Sequence, residues 1–159
     1  MEKYDVNVLV ENSSINAESG KQLKELVEYI NHPNFYVCWD TGHGNKAGKQ
    51  KEGILALGKY IKAIHFNDND GLADLHNLPF TGTLKVDETM RAFMEIGYDG
   101  YFTFECSCMK RPAPEWFERR SNGLENELWC PSYQLEITEQ KFMYEIAKYI
   151  LSHYGLYEE

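Results

Sequence analysis

The stretch "VCWDTGHGN", residues 37–45, decides how the rest of the chain is read. An apolar run climbs to a carboxylate at Asp40, and an imidazole follows at His43. Packing a core calls for no such ending. Either this strand delivers ligands to a site, or it closes in a polar turn with a surface imidazole. The neighbouring elements decide between the two.

On both sides of it, strand patterns and helix patterns take turns. Upstream, "YDVNVLVEN" alternates, with Val6, Val8 and Val10 on one face and Asn7, Leu9 and Glu11 on the other. In "ESGKQLKELVEYI", Leu23, Leu26, Val27 and Ile30 fall at helical spacing. "FYVCWD" is the second strand, "KEGILALGKYI" a shorter helix and "IKAIHFND" the third strand. "LKVDETMRAFMEIG" sets Val86, Met90, Phe93 and Met94 on one stripe, with Gly97 as the stop. "GYFTFEC" is the fourth strand, a polar stretch with Pro112, Pro114 and Pro131 follows, and "TEQKFMYEIAKYILSHY" is a closing helix. Strands alternating with helices predict parallel βαβ units and an α/β fold.

Each strand carries a ligand-type residue at its C-terminal end. The first ends at Glu11, the second at Asp40 with His43, the third at His65 with Asp68, and the fourth at Glu105. Face assignment agrees: Phe102, Phe104 and Cys106 alternate with Thr103 and Glu105, and Ile64 and Phe66 alternate with Ala63 and His65. The apolar faces are expected to pack helices, and the small and polar faces to look into a barrel. Ligands in parallel α/β folds sit beyond the carboxyl ends of the strands. Any one of these residues has a plain reading: a solvated Glu, a turn cap, a hydrogen-bonded core histidine. Four strand ends converging on one edge favour a site.

Composition bounds the function. The chain has 159 residues, of which 43% are hydrophobic and 26% charged, a globular balance. With 16 Lys plus Arg against 25 Asp plus Glu, the formal charge is −9, which argues against nucleic acid as a partner. No apolar run reaches the roughly 20 residues of a membrane span, and "MEKYDVNV" lacks the apolar core of a signal peptide, so a cytoplasmic protein is expected. Cys38, Cys106, Cys108 and Cys130 show no C-x-x-C spacing and are read as reduced thiols, with Cys106 and Cys108 on a helix-packing face. Arg119 and Arg120 are read as a solvated loop rather than a phosphate site.

With these residues in place, the chain resembles the xylose-isomerase-like TIM-barrel superfamily, which holds sugar isomerases and epimerases together with apurinic endonucleases. "LVENSS", "VCWDTGH", "IHFNDNDGLADLH" and "FTFE" carry the match, in order. The resemblance implies four consecutive βα units equivalent to the C-terminal half of a (β/α)8 barrel, a fold of ~250 residues. On this reading the first four units are absent from the chain. It also implies a metal site of Glu11, Asp40, His65 and Glu105, an oxygen-rich set suited to Mn²⁺ or Mg²⁺, with Zn²⁺ as the alternative. His43, Asp74 and His76 match positions that hold further zinc ions in the endonucleases, and the position of His43 contacts substrate in the sugar enzymes. Asp68 and His76 are expected beside the substrate. Phe80, in "LPFTG", stands where the family often has Gly.

The function expected from this resemblance is a metal-dependent isomerase or epimerase acting on a sugar or sugar phosphate. Glu11 and Glu105 would exchange acid and base roles in proton transfer next to a carbonyl. A non-catalytic or truncated half-barrel remnant and an endonuclease-like zinc phosphodiesterase are the alternatives. Four strands from an opened barrel leave two unpaired edges, so either a homodimer or a separate N-terminal half-barrel is expected to cover them.

Overall fold

The computed structural model describes residues 4, 6–13, 20–106 and 133–158. The chain divides into two compact units, residues 1–106 and 107–159. In the first, strands β1 (Val8–Glu11), β2 (Phe35–Asp40), β3 (Ile61–Phe66) and β4 (Phe102–Phe104) form one sheet in the order β1-β2-β3-β4. All three pairings are parallel. Helices α1 (Lys21–Ile30), α2 (Thr41–Lys46), α3 (Gln50–Leu57) and α4 (Val86–Glu95) occupy the crossovers. In the second unit, α5 (Tyr133–His153) is followed by a turn at Gly155, and the Tyr144 and Tyr157 hydroxyls meet at 2.7 Å.

Register puts the predicted faces where alternation placed them. Trp39 pairs with Ile64 and Ile64 with Phe102, one row of the helix-packing face. Asp40 pairs with His65 and His65 with Thr103, the adjacent row on the other face. Leu23 and Val27 of α1, Ile54 and Leu57 of α3, and Met90 and Phe93 of α4 are buried with Val37, Trp39, Ile64 and Phe66. Phe66 stacks on Phe102 with ring centroids 4.8 Å apart, which ties β4 into this layer. Trp39 sets the spacing between layers: a Cβ on Gly53 would lie 2.1 Å from its ring, and only a glycine in α3 admits the indole.

Three expectations are revised, and one irregularity is added. β1 is shorter than "YDVNVLVEN", and Val8 and Leu9 are both exposed, because β1 is an edge strand with a neighbour on one side only. Leu26 and Ile30 in α1 and Met94 in α4 lie at the margins of their stripes and are exposed. The residues after Asp40 form the short helix α2 rather than a turn, with the Asp40 side chain accepting from His43 N as N-cap. Lys62 is an extra residue in β3, because Val37 pairs with Ile61 and Cys38 with Ala63, a local bulge. Cys108, Cys130, Arg119 and Arg120 lie outside the described residues.

Candidate metal and catalytic site

The four predicted ligands meet. One donor atom each from Glu11, Asp40, His65 and Glu105 lies within 4.8 Å of the others, at the C-terminal ends of the four strands. His65 Nδ1 approaches Glu105 Oε2 at 2.7 Å and Glu11 Oε1 at 3.6 Å. His43 Nδ1 stands 3.3 Å from Glu11 Oε1 and 3.6 Å from Asp40 Oδ1. Both imidazole nitrogens are buried and neither makes a hydrogen bond, so these approaches lack hydrogen-bond alignment. Buried nitrogens left unpaired beside carboxylate oxygens are costly, and a cation shared by His65 Nδ1 and the carboxylates would relieve that cost at His65. The donor set, three carboxylates and one imidazole, fits a hard divalent ion.

Asp40 is the most firmly held member. It is fully buried, its Oδ1 accepts from His43 N at 2.7 Å and its Oδ2 from Asn67 Nδ2 at 2.6 Å. Burial pushes its carboxyl above the usual range against the pull of the His43 backbone N–H, the His43 charge and the Asn67 amide. A divalent ion at the cluster would reverse that push by favouring the carboxylate. Beneath it Cys38 faces the same way, and burial together with Glu11, Asp40 and Glu105 pushes its thiol up to about 12.

A second chain of contacts runs outward. His43 Nε2 lies 3.2 Å from Asp74 Oδ2, Asp74 Oδ1 lies 3.3 Å from His76 Nε2, and His76 Nδ1 lies 2.9 Å from the Glu105 carbonyl oxygen. Burial pushes Asp74 up, but the His43 hydrogen bond and the charges of His43 and His76 outweigh it and leave the carboxyl low. Burial pushes His76 down, and the Glu105 carbonyl with the charges of Asp74 and Glu105 outweighs it, so the imidazole is raised. The three residues that sequence put near the site therefore line one side of it.

Asp68 does not join them. It is buried, and its carboxylate accepts from the backbone N–H of Asn69 at 2.8 Å, Gly82 at 2.8 Å and Leu84 at 2.9 Å. Those bonds close the loop between β3 and α4, and leave the side chain no free face for a substrate. Within that loop Leu78 to Thr81 make a turn closed by Thr81 N on the Leu78 carbonyl, with Phe80 at φ 72. A left-handed residue after Pro is what a type II turn demands and what Gly normally supplies.

Sequence reasoning missed three buried amides. Asn12, Asn67 and Asn69 are all fully buried. Asn69 accepts from Asn45 and Gly71 and donates to the Gly42 carbonyl, tying the loop to α2. A cavity of about 810 Å³ lies at the opposite end of the sheet, lined by residues such as Glu28, Tyr36, Lys59 and Lys62, and none of the cluster reaches it.

A family model described as a xylose isomerase-like TIM barrel matches residues 1–126. A ketose 3-epimerase of Arthrobacter globiformis is 26% identical over 134 residues, 84% of this chain and 41% of that protein. A fructoselysine 3-epimerase of Escherichia coli O157:H7 is 34% identical over 65 residues, 41% of this chain and 24% of that protein. The crystal structure of a D-tagatose 3-epimerase-like protein superimposes with a TM-score of 0.57 at 29% identity, covering 65% of this chain and 40% of that one. The chain thus spans less than half the length of each of these relatives.

Proposed function

The chain belongs to the xylose isomerase-like TIM-barrel family, and on that premise we propose that its site belongs to a divalent-metal-dependent isomerase or epimerase of a sugar or sugar phosphate. The observation that carries this reading is the meeting of Glu11, Asp40, His65 and Glu105 donors within 4.8 Å at one sheet edge. The similarity to proteins named ketose 3-epimerase and fructoselysine 3-epimerase supports the same chemistry. Glu11 and Glu105 stand on the outer strands of the sheet, so a ketose between them presents a different face to each. The Glu11 carboxylate takes the proton from the carbon beside the carbonyl, and the C–H electron pair moves toward the carbonyl oxygen. The Glu105 carboxyl returns a proton to that carbon from the other face, which inverts it; the reverse direction exchanges the two roles. Mn²⁺ or Mg²⁺, with Zn²⁺ as the alternative, would be held by the four ligands and would polarise the carbonyl and hydroxyl oxygens when bound. His43 and His76 border the site and are assigned to substrate hydroxyls.

β1 and β4 are the edges of the sheet, with no strand beyond either among the described residues. We assign their partners to four further βα units, supplied by the same polypeptide or by a second copy. The test of the activity is solvent exchange. With Mn²⁺ and a ketose, the proton beside the carbonyl should exchange for deuterium, and Glu11→Gln and Glu105→Gln should each abolish the exchange. Exchange that survives both changes overturns the assignment, and no exchange with any ketose favours a non-catalytic half-barrel.

One observation favours a second reading. His43, Asp74 and His76 lie in one line of 3.2 and 3.3 Å contacts, a set suited to additional Zn²⁺ in a phosphodiesterase. Zinc stoichiometry separates the readings: more than one tightly bound Zn²⁺ per chain, lost in His76→Ala, favours the phosphodiesterase.

A further inference from the structure

Where the backbone ladder of the sheet ends, side chains continue it. Asn12 follows Glu11, and its amide donates from Nδ2 to the Asp40 carbonyl and accepts at Oδ1 from the Asp40 N–H. That pair imitates a further rung between β1 and β2. On the other side, the Thr41 hydroxyl donates to the Asn67 carbonyl at 2.7 Å and accepts from the Asn67 N–H at 2.9 Å, a side-chain rung between β2 and β3. The Asn67 amide then reaches across to Asp40 Oδ2. Two fully buried amides, one next to Glu11 and one two residues beyond His65, thus grip the backbone and the carboxylate of Asp40.

We propose that Asn12 and Asn67 are positioning residues that fix Asp40 relative to Glu11 and His65, so that one carboxylate lone pair is aimed at the shared ion. The inference rests on the metal reading of the site given above. Geometry singles out Asn67 in particular. Its Nδ2 occupies one Asp40 oxygen, its Oδ1 is buried without a hydrogen bond, and its seat exists only because residue 42 is glycine. A Cβ on Gly42 would stand 2.0 Å from Asn67 Oδ1 and 3.0 Å from its Cγ, so alanine there drives the amide from Asp40. An amide suits this task because it donates to the carboxylate at every pH and carries no charge that competes with the cation. Partners of this kind, in other proteins, set metal affinity by about ten- to hundredfold.

The test uses the full chain and Mn²⁺ alone, read by calorimetry and by the electron paramagnetic resonance line shape of the bound ion. Asn67→Ala and Asn12→Ala should each weaken Mn²⁺ binding about tenfold or more and change the line shape, with the circular dichroism spectrum retained. Gly42→Ala should do the same with Asn67 present, and it serves if Asn67→Ala does not fold. Both changes remove the Asn67–Asp40 contact, and the Gly42→Ala Cβ also comes 3.1 Å from Asn69 Nδ2, which the Asn69→Ala control accounts for, so the Gly42→Ala/Asn67→Ala double variant should bind no worse than the weaker single variant. Asn69→Ala is the control for a structural role, since that amide is equally buried in the same loop and does not touch Asp40. It should lower stability and leave the line shape unchanged. Folded Asn67→Ala with native affinity and line shape overturns the proposal, as does Asn69→Ala changing the line shape as much as Asn67→Ala. A native chain that binds no Mn²⁺ overturns the metal reading itself, and this inference falls with it.

Discussion

Replacing Asp68 with asparagine separates two roles for the same carboxylate. A substrate-binding Asp68 would leave stability nearly unchanged on amidation, because the site would be open to solvent. The structure gives the opposite expectation. Oδ1 accepts from Asn69 N and Leu84 N, and Oδ2 accepts from Gly82 N. Asparagine can keep its oxygen toward the first two donors, but then sets an NH₂ group against the Gly82 N–H. The lost charge-assisted bond is worth about 1.5–3 kcal/mol, and the two that remain fall from charged to neutral strength, about 1 kcal/mol less each. Asp68→Asn should therefore destabilise the chain by about 3.5–5 kcal/mol, read as a shift in urea midpoint at unchanged slope. Hydrogen exchange should rise first at residues 69–84, the segment that carries Asp74 and His76. A variant of native stability and native loop protection would refute the reasoning, and a raised KM for a ketose in such a variant would restore Asp68 to the substrate.

Gly53→Ala should cost about 1–3 kcal/mol, measured by thermal melting, because its Cβ would meet the Trp39 ring at 2.1 Å. Phe80→Gly should stabilise by about 1 kcal/mol in the same assay, because it removes a left-handed non-glycine residue at φ 72. Cys38 should resist iodoacetamide at pH 8 in the folded chain and react after denaturation: with its thiol pushed up to about 12, the nucleophilic thiolate forms only far above that pH. The open edges of β1 and β4 should make the isolated chain self-associate at micromolar concentration, and light scattering from a stable monomer with a cooperative melt would contradict this.

The sequence made the sheet legible because its strands are short apolar runs with one ligand-type residue at each end, a pattern that needs no tertiary information. Asp40 and His65 were found this way, and register sets them side by side. The helix at Thr41–Lys46 was not legible: "TGHGNK" has two glycines and poor propensity, and it forms because Asp40 caps it and because Gly42 must clear Asn67. Asp68 has no unambiguous sequence signal, because a carboxylate just past a strand end has the same pattern whether it faces a ligand or its own loop. Two of its three backbone partners, Gly82 and Leu84, lie 14 and 16 residues away, beyond any local signal. The amides were overlooked because Asn beside a turn is ordinary loop chemistry. A signal was nonetheless present, since Asn12 and Asn67 each follow directly on an apolar strand that bears a ligand.

The central claim is that four strand ends share one divalent ion. Crystals of the chain soaked in millimolar Mn²⁺ and measured at the manganese absorption edge test it most directly. One anomalous peak is expected, within bonding distance of Glu11, Asp40, His65 and Glu105 at about 2.0–2.3 Å from oxygen and nitrogen donors. No peak at that position, or a peak held by His43, Asp74 and His76 with the four strand-end residues bare, would contradict the account.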